Sequence, residues 1–362
     1  MIPFLLMLAA VIAGCEIWSL RRGLDGVEYD LRLSRPVAEA DEPLQMITVI
    51  TNRRRRFLPF IRLNENVPDG MVTAGDLRPE DIKNHLALLR GTVYMMPRQR
   101  LTRRTDFSMP RRGRYLFLGA TLEGGDFMGL GTAPRSMPLS RELVILPPPI
   151  PPEDLRRLMG GWLGERSVNR FIMEDPVLTL GYRDYTGHEP MKQISWPQTA
   201  RLGRMTVRCQ DYTVERTVTV MFNAHTFTFG HYGQAMLEKA LSLCRGVCEA
   251  LEERRIPYAL ITNARCLGVP DGFGEVGDGL GRAHLGRVLE GLGRTDFARG
   301  DTMEDFFDRA LSRASLGRGH VFITPVHNDL RPELLEKLQI ATGEIPLAIA
   351  ADSAERETAF AG

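Results

Sequence analysis

The sequence predicts an all-β, sandwich-like domain followed by an α/β domain built on a parallel sheet, with a hydrophobic helix ahead of both. Three observations carry this reading. Residues 2–13 form an unbroken apolar run. Short segments rich in β-branched residues, separated by turn signals, fill the stretch from Gly26 to Pro149, the spacing of a β-sandwich. From Thr217 onward, apolar runs alternate with segments of helical period, which implies right-handed strand–helix–strand crossovers.

Residues 1–22 read as a membrane anchor. The run weakens through Gly14 and Cys15, is interrupted by Glu16, and ends on Trp18, Arg21 and Arg22. An aromatic followed by basic residues suits a membrane interface, and the positive-inside bias would leave the following chain in the cytoplasm. A spanning helix needs roughly 20 apolar residues, so the segment is marginal. A lipoprotein-type cleavage box at Ile12–Cys15 and a buried N-terminal element are the competing readings.

Residues 23–150 hold the expected sandwich. Gln45–Thr51 is a clean strand candidate, and Phe57–Leu63 its partner across a turn of four arginines. Such a turn is a solvated tip or, beside a membrane, a contact for phosphate headgroups. Further strands are expected at Gly91–Met95, Arg114–Leu122 and Glu142–Leu146, and a short helix near Pro79. Leu146–Pro152 (LPPPIPP) is a semi-rigid spacer.

Residues 151–210 are loop-rich, and residues 211–351 carry the α/β pattern. Thr217–Phe222 reads as a strand buried on both faces. Gly233–Arg254 is a helix with apolar residues at 236, 240, 243, 247 and 251. Strands at Pro257–Thr262, His320–Thr324 and Ile345–Ala350 alternate with helices at His284–Leu292, Met303–Ala314 and Arg331–Ala341. A glycine-rich loop spans Gly268–Gly281, and residues 352–362 read as a disordered tail.

Composition excludes several classes. Apolar residues make up 43% and charged residues 25%, with a net charge of +1, ordinary for a globular protein and without general attraction to nucleic acid. Residues 1–150 carry 21 Lys/Arg against 16 Asp/Glu, or +5, which leaves −4 for the remainder. Five cysteines at 15, 209, 244, 248 and 266 show no disulfide spacing. Cys244 and Cys248 share a helix face and read as core, since no second Cys/His pair stands at zinc spacing. The glycine-rich loop lacks the Lys-Ser/Thr of a phosphate-binding loop, and its acidic residues would repel phosphate. Asp271, Glu275 and Asp278 within it are a remote cation option. His225 and His231 flank the end of the first α/β strand, where ligands bind in open sheets, but no serine or cysteine nucleophile accompanies them in sequence. No cofactor is expected.

The densest signal is Gly181–Arg208 (GYRDYTGHEPMKQISWPQTARLGRMTVR), where Arg, Tyr, Trp and Gly interleave at a spacing that fits neither a helix nor a strand face. Arg183, Tyr185, Ile194, Trp196, Ala200, Arg201 and Gly203 are its key positions. With Arg112-Gly113-Arg114-Tyr115, Asp126–Leu130 and Glu142–Pro147, this segment resembles the bacterial "domain of unknown function 58" family. The resemblance covers nearly the whole chain after the first 20 residues. It departs at His188-Glu189, where the family has Gly-Asp, and at Ser195, where the family has Asp.

The resemblance implies a von Willebrand A-like C-terminal domain. It also implies a degenerate metal motif, with Asn223, His225 and Phe227 where metal-binding relatives carry oxygen ligands, so no metal is expected. The partner it implies is an AAA+ ATPase of the MoxR type. The expected function is therefore a membrane-anchored, non-catalytic scaffold on the cytoplasmic side. An arginine, Arg183 or Arg201, stacked on Trp196, with its fork satisfied by carbonyls or by Asp184, is the structural reading of the motif; a partner surface is the functional one. The rival is a cell-envelope hydrolase built on His188, Glu189 and Arg201.

Overall fold

The computed structural model describes Met7, Gly14 and residues 24–55, 57–74, 78–81, 86–125, 132–159, 181–185, 194–209, 217–225, 230–269, 275–296, 300–315 and 317–353. The chain divides into two compact units, one of residues 1–148 with 289–296, the other of residues 149–288 with 297–362.

The first unit is a β-sandwich of β1 (Val27–Leu33), β2 (Val37–Ala38), β3 (Leu44–Asn52), β4 (Leu58–Pro68), β5 (Val72–Thr73), β6 (Glu80–Asp81), β7 (Leu86–Met95), β8 (Arg100–Ser108), β9 (Gly113–Gly125) and β10 (Thr132–Ile145). One sheet runs β1-β3-β8-β5, the other β2-β10-β9-β4-β7-β6. All pairings are antiparallel except β2 with β10. Alternation sets the two faces. In β3, Leu44, Met46, Thr48, Ile50 and Asn52 are buried, and Gln45 is exposed. Inward residues of both sheets meet in two apolar clusters. One includes Leu31, Met46, Phe107, Leu89 and Phe117, the other Ile50, Ile61, Leu63 and Leu122. Phe107 and Phe117 meet edge to face at 5.8 Å. The helix expected near Pro79 is corrected. Glu80–Asp81 pairs with β7 as an edge strand, a position that tolerates a preceding proline.

The second unit contains α1 (Pro152–Met159), β11 (Gly181–Asp184), α2 (Trp196–Leu202), β12 (Thr206–Cys209), β13 (Val218–Phe222), α3 (His231–Glu253), β14 (Tyr258–Thr262), β15 (Val276–Gly279), α4 (Arg282–Gly293), α5 (Met303–Ser312), β16 (Gly319–Thr324), α6 (Pro332–Thr342) and β17 (Leu347–Ala350). Residues Leu289–Asp296, the end of α4 and the turn after it, group with the first unit. The main sheet runs β15-β14-β13-β16-β17. Every residue of β13, β14 and β16 is buried. The apolar stripe of α3 at 236, 240, 243, 247 and 251 is buried, together with Cys244 and Cys248. Gly246 lets α1 approach α3 closely, because a Cβ there would collide with Ile150 and press on Leu155. Phe306, Phe307 and Phe322 pack as a triad between α5 and β16.

This architecture corrects the expected fold class. The described chain is mainly β, with seventeen strands against six α-helices. The five-stranded sheet is mixed, because β15 runs antiparallel to β14. It is not the parallel sheet of a von Willebrand A-like domain. The cause is local: β15 lies inside the Gly268–Gly281 stretch, whose glycines give no periodic signal, so the segment reads as a loop.

The membrane reading is corrected as well. No helix among the described residues is long and apolar enough to cross a membrane. Residues 1–22 lie outside the described residues apart from Met7 and Gly14. The unbroken apolar run there is only 2–13, well short of the roughly 20 residues a span requires. The transmembrane helix and the placement at the cell membrane are withdrawn. The expected tail falls outside the described residues beyond Ser353.

Candidate functional site

Two places named by the sequence are built very differently. The first is the Gly181–Arg208 motif. β11 and β12 form a two-stranded antiparallel ribbon, with Arg183 opposite Val207. Tyr185 N–H donates to the Met205 carbonyl (2.9 Å) and Ser195 N–H to the Thr206 carbonyl (2.9 Å), which closes the ribbon around α2. Ile194, Ser195 and Thr206 are its buried floor. Pro197 occupies the first turn of α2, where its missing N–H costs nothing. Gly203 ends the helix with φ 66° and donates its N–H to Thr199 O, a left-handed cap that suits glycine. The Thr199 hydroxyl accepts from Thr206 N–H at 3.2 Å.

These contacts leave much of α2 and the turn after it exposed. Trp196 is 58% exposed, Leu202 51% and Met205 42%. Ala200 and Arg201 are exposed, and Tyr185 is half-buried. Asp184 is engaged by Arg204 at 3.0 Å. The side chain of Arg183, one of the two arginines expected over Trp196, lies outside the described residues. α2 is only two turns long, and its Trp is more exposed than buried. His188 and Glu189, the centre of the hydrolase reading, lie outside the described residues.

The second place is the C-terminal end of β13. The neighbours of β13 are β14 and β16, reached by connections in opposite directions, and such a switch point is where ligands enter open α/β sheets. Asn223 is fully buried there. Its Nδ2 donates to His225 O (2.9 Å) and to Thr324 Oγ1 (3.0 Å). Its Oδ1 accepts from His225 N–H (3.0 Å) and from Asn263 Nδ2 (2.7 Å). Asn263 Oδ1 in turn accepts from Ala224 N–H at 2.8 Å. All four hydrogen-bonding capacities of the Asn223 amide are thus used inside the protein. The side chain clasps three strand ends and presents nothing outward. His225 is half-buried, His231 is exposed as the first residue of α3, and Phe227 lies outside the described residues. Among the described residues, no group of three His, Cys, Asp or Glu is arranged to hold a metal ion.

The loop acids serve arginines. Glu275 meets Arg309 and Arg313, each at 3.0 Å, and Asp278 holds Arg318, whose Nε donates to Thr219 Oγ1 at 2.7 Å. Asp271 lies outside the described residues. Arg309 also donates to the Thr262 carbonyl (3.0 Å) and pairs with Asp301.

Sequence reasoning missed two buried polar clusters in the first unit. Glu65 is fully buried between the sheets. It accepts from Tyr29 Oη (3.0 Å) and Thr48 Oγ1 (2.5 Å) and pairs with Arg103. Gly91 makes room for that guanidinium, since a Cβ there would collide with it. Burial pushes the Tyr29 phenol far up, and the Glu65 charge adds to the shift. The other cluster explains the Arg112–Tyr115 motif. Buried Arg112 donates to the carbonyls of Thr295 (2.8 Å) and Leu292 (3.5 Å), a cation at a helix C-terminus. Glu142 binds Arg114 at 3.1 Å and also Arg294. Burial raises the Glu142 carboxyl, but the two arginines overcome it and hold the group below its ordinary value. The motif therefore seats residues 289–296. The signal in the sequence was the Arg-Gly-Arg-Tyr string itself, which does not say what it binds.

No family model matches the chain, and no curated relative matches it. Solved structures share parts of it. A CARDB domain from Pyrococcus furiosus, in complex with di-metal ions, is similar over 33% of this chain and 91% of its own, at 10% identity and a TM-score of 0.22. A cohesin module from a Clostridium perfringens family 33 glycoside hydrolase covers 33% and 96%, at 8% identity and 0.25. A type II cohesin domain from the Acetivibrio cellulolyticus cellulosome covers 32% and 94%, at 12% identity and 0.25. Likenesses at these scores carry no argument about this chain's fold or activity.

Proposed function

We propose that this chain is a non-catalytic protein-interaction module, a scaffold whose partner surface is the α2 hairpin. One observation carries the reading: Trp196, Arg201 and Leu202 on a short helix, and Met205 in the turn after it, stand exposed on a backbone pinned by Thr199, Ser195 and Thr206. Trp, Met and Arg are the residue types enriched at interface centres. A rigid seat lowers the entropy lost when they are covered. The end of β13 is a poorer surface, because Asn223 is buried and its bonds are taken. The partner implied by the family resemblance is an AAA+ ATPase of the MoxR type.

The test uses the full-length chain and a purified ATPase of that type from the same cells. Complex formation is followed by biolayer interferometry and by crosslinking in extracts. The wild type should bind, and Trp196→Ala with Arg201→Glu should abolish binding while the circular dichroism spectrum stays unchanged. Equal binding by wild type and variant removes the hairpin as the surface. No binding by either removes the ATPase, and the extract crosslinks then decide whether the hairpin holds another protein.

A further inference from the structure

The end of the sandwich formed by the β3–β4 and β7–β8 turns is a second constructed surface, independent of the α2 hairpin. The two turns are bonded to each other. Asn52, 1% exposed, donates its side-chain amide to Met96 O (3.0 Å) and its backbone N–H to Gln99 O (2.9 Å). Its Oδ1 accepts from Arg54 N–H (3.1 Å), and Arg98 N–H donates to Arg54 O (2.9 Å). The stem of Arg54 lies on Gly26, where φ is 76° and a Cβ would come within 2.8 Å of Arg54 Cγ.

This frame presents Arg53, Arg54, Arg55, Arg98 and Arg100, all exposed. Glu28 pairs with Arg53 at 2.5 Å. Among the described residues, Arg54, Arg55, Arg98 and Arg100 have no carboxylate partner. Apolar side chains stand beside them: Tyr94 is 63% exposed, Met96 51% and Phe57 37%. The register brings these together, since Leu58 pairs with Met95 and leaves Phe57 and Met96 flanking that pair. Met95 points into the core, so Tyr94 points out.

We infer that this tip is a docking site for an acidic segment of a partner protein, one in which carboxylates are followed by apolar residues. All five cations are arginines, whose planar forks match carboxylates two bonds at a time. The fixed turns spare the cost of ordering them on binding. On the β8 side exposed Arg104 continues from Arg100; the face that carries Tyr94 favours an acidic–apolar peptide over a nucleic acid. Along β7, β4 and β9, Arg90 is already held by Glu80 and Arg62 by Glu123. That face is neutral and offers nothing to a continuing phosphate backbone, whereas Tyr94 and Phe57 suit an apolar continuation.

The test is fluorescence anisotropy of the full chain with a short dye-labelled peptide, acidic in its first half and apolar in its second. Controls are the same peptide with amides in place of carboxylates, one with serines in place of the apolar half, a short oligothymidine and phosphatidylserine vesicles. The acidic–apolar peptide should bind best. Arg54→Glu with Arg98→Glu should weaken it by about tenfold or more, and Tyr94→Ala by about fivefold. Circular dichroism guards against misfolding, and these side chains are exposed. Three results overturn the proposal: no binding of this peptide, equal binding of the serine peptide, or tighter binding of the oligonucleotide or the vesicles. The outcome for the α2 hairpin variants is separate, because they leave this tip intact.

Discussion

The two units bury polar groups at their centres in opposite ways. The sandwich buries a charge: Glu65 on β4 faces inward and is answered by Tyr29, Thr48 and Arg103 from three strands of the opposite sheet. The α/β unit buries neutral amides, Asn223 and Asn263, which join the ends of β13, β14 and β16 through Thr324, His225 and Ala224. A carboxylate out of water depends on its counter-charge, so it ties one sheet to the other but fails badly if one partner is lost. An amide depends only on hydrogen-bond geometry, so it tolerates pH but not a change of donor to acceptor. The contrast teaches where each unit is fragile.

The largest effect should come from Glu65→Gln, which leaves the Arg103 guanidinium without its charge partner between the sheets. We expect a loss of about 3 kcal/mol, read by urea unfolding. Replacing the whole cluster by apolar residues, with Glu65 and Arg103 as leucine, Tyr29 as phenylalanine and Thr48 as valine, should recover most of it. A loss below about 1 kcal/mol for the single change would show that the charge is not what holds the sheets.

Next is Asn223→Asp, which turns the donors facing His225 O and Thr324 into acceptors. About 2 kcal/mol should be lost. A carboxyl there is desolvated and faces a carbonyl, so its pKa in the folded state is raised. The neutral form fits better, so the penalty should grow as pH rises above the ordinary Asp value of about 4 and level off above the raised one. A penalty independent of pH would break the comparison between the units.

Arg112→Ala should cost about 1–2 kcal/mol by stripping the carbonyls of Leu292 and Thr295 of their cation. Hydrogen exchange should show it as faster opening of residues 289–296. Glu142 gives the same segment an acid sensitivity. Its pKa is lowered in the folded state from 4.5, so its contribution is complete above that value and is lost as pH falls through the lower one. Exchange of residues 289–296 should therefore quicken on acidification before the rest of the sandwich opens.

Trp196→Ala should have the smallest effect on stability, within about 0.5 kcal/mol, because the ring is mostly in solvent. Its effect on partner binding should be the largest of any change in the hairpin. A large loss of stability instead would return Trp196 to a structural role.

Some of this is legible in the sequence. Thr217–Phe222 and the stripe of α3 announce themselves because burial on both faces, or on one stripe, leaves a periodic mark. The strand expected at Phe57–Leu63 is in fact β4, Leu58–Pro68. Its second half, Asn64-Glu65-Asn66, reads as the polar end of a strand. The partners that let Glu65 go inside lie 17 to 38 residues away along the chain, beyond any local pattern. β10 is legible only from Glu142, because its first half is mostly exposed and contains Pro134 and Pro138.

By itself, the sequence determined which stretches alternate, which form continuous apolar runs, and where prolines and glycines end them, because those are properties of neighbouring residues. It also marked Arg112–Tyr115, the arginine turn and Gly181–Arg208 as unusual. Only the tertiary structure decided that β15 joins its sheet antiparallel, that Arg112 seats a helix end, that Asn223 spends its amide on strand ends, and that Trp196 is left in solvent. Each of these depends on groups brought together from distant parts of the chain, and contact at that range is set by packing and by the demand that buried polar atoms be bonded.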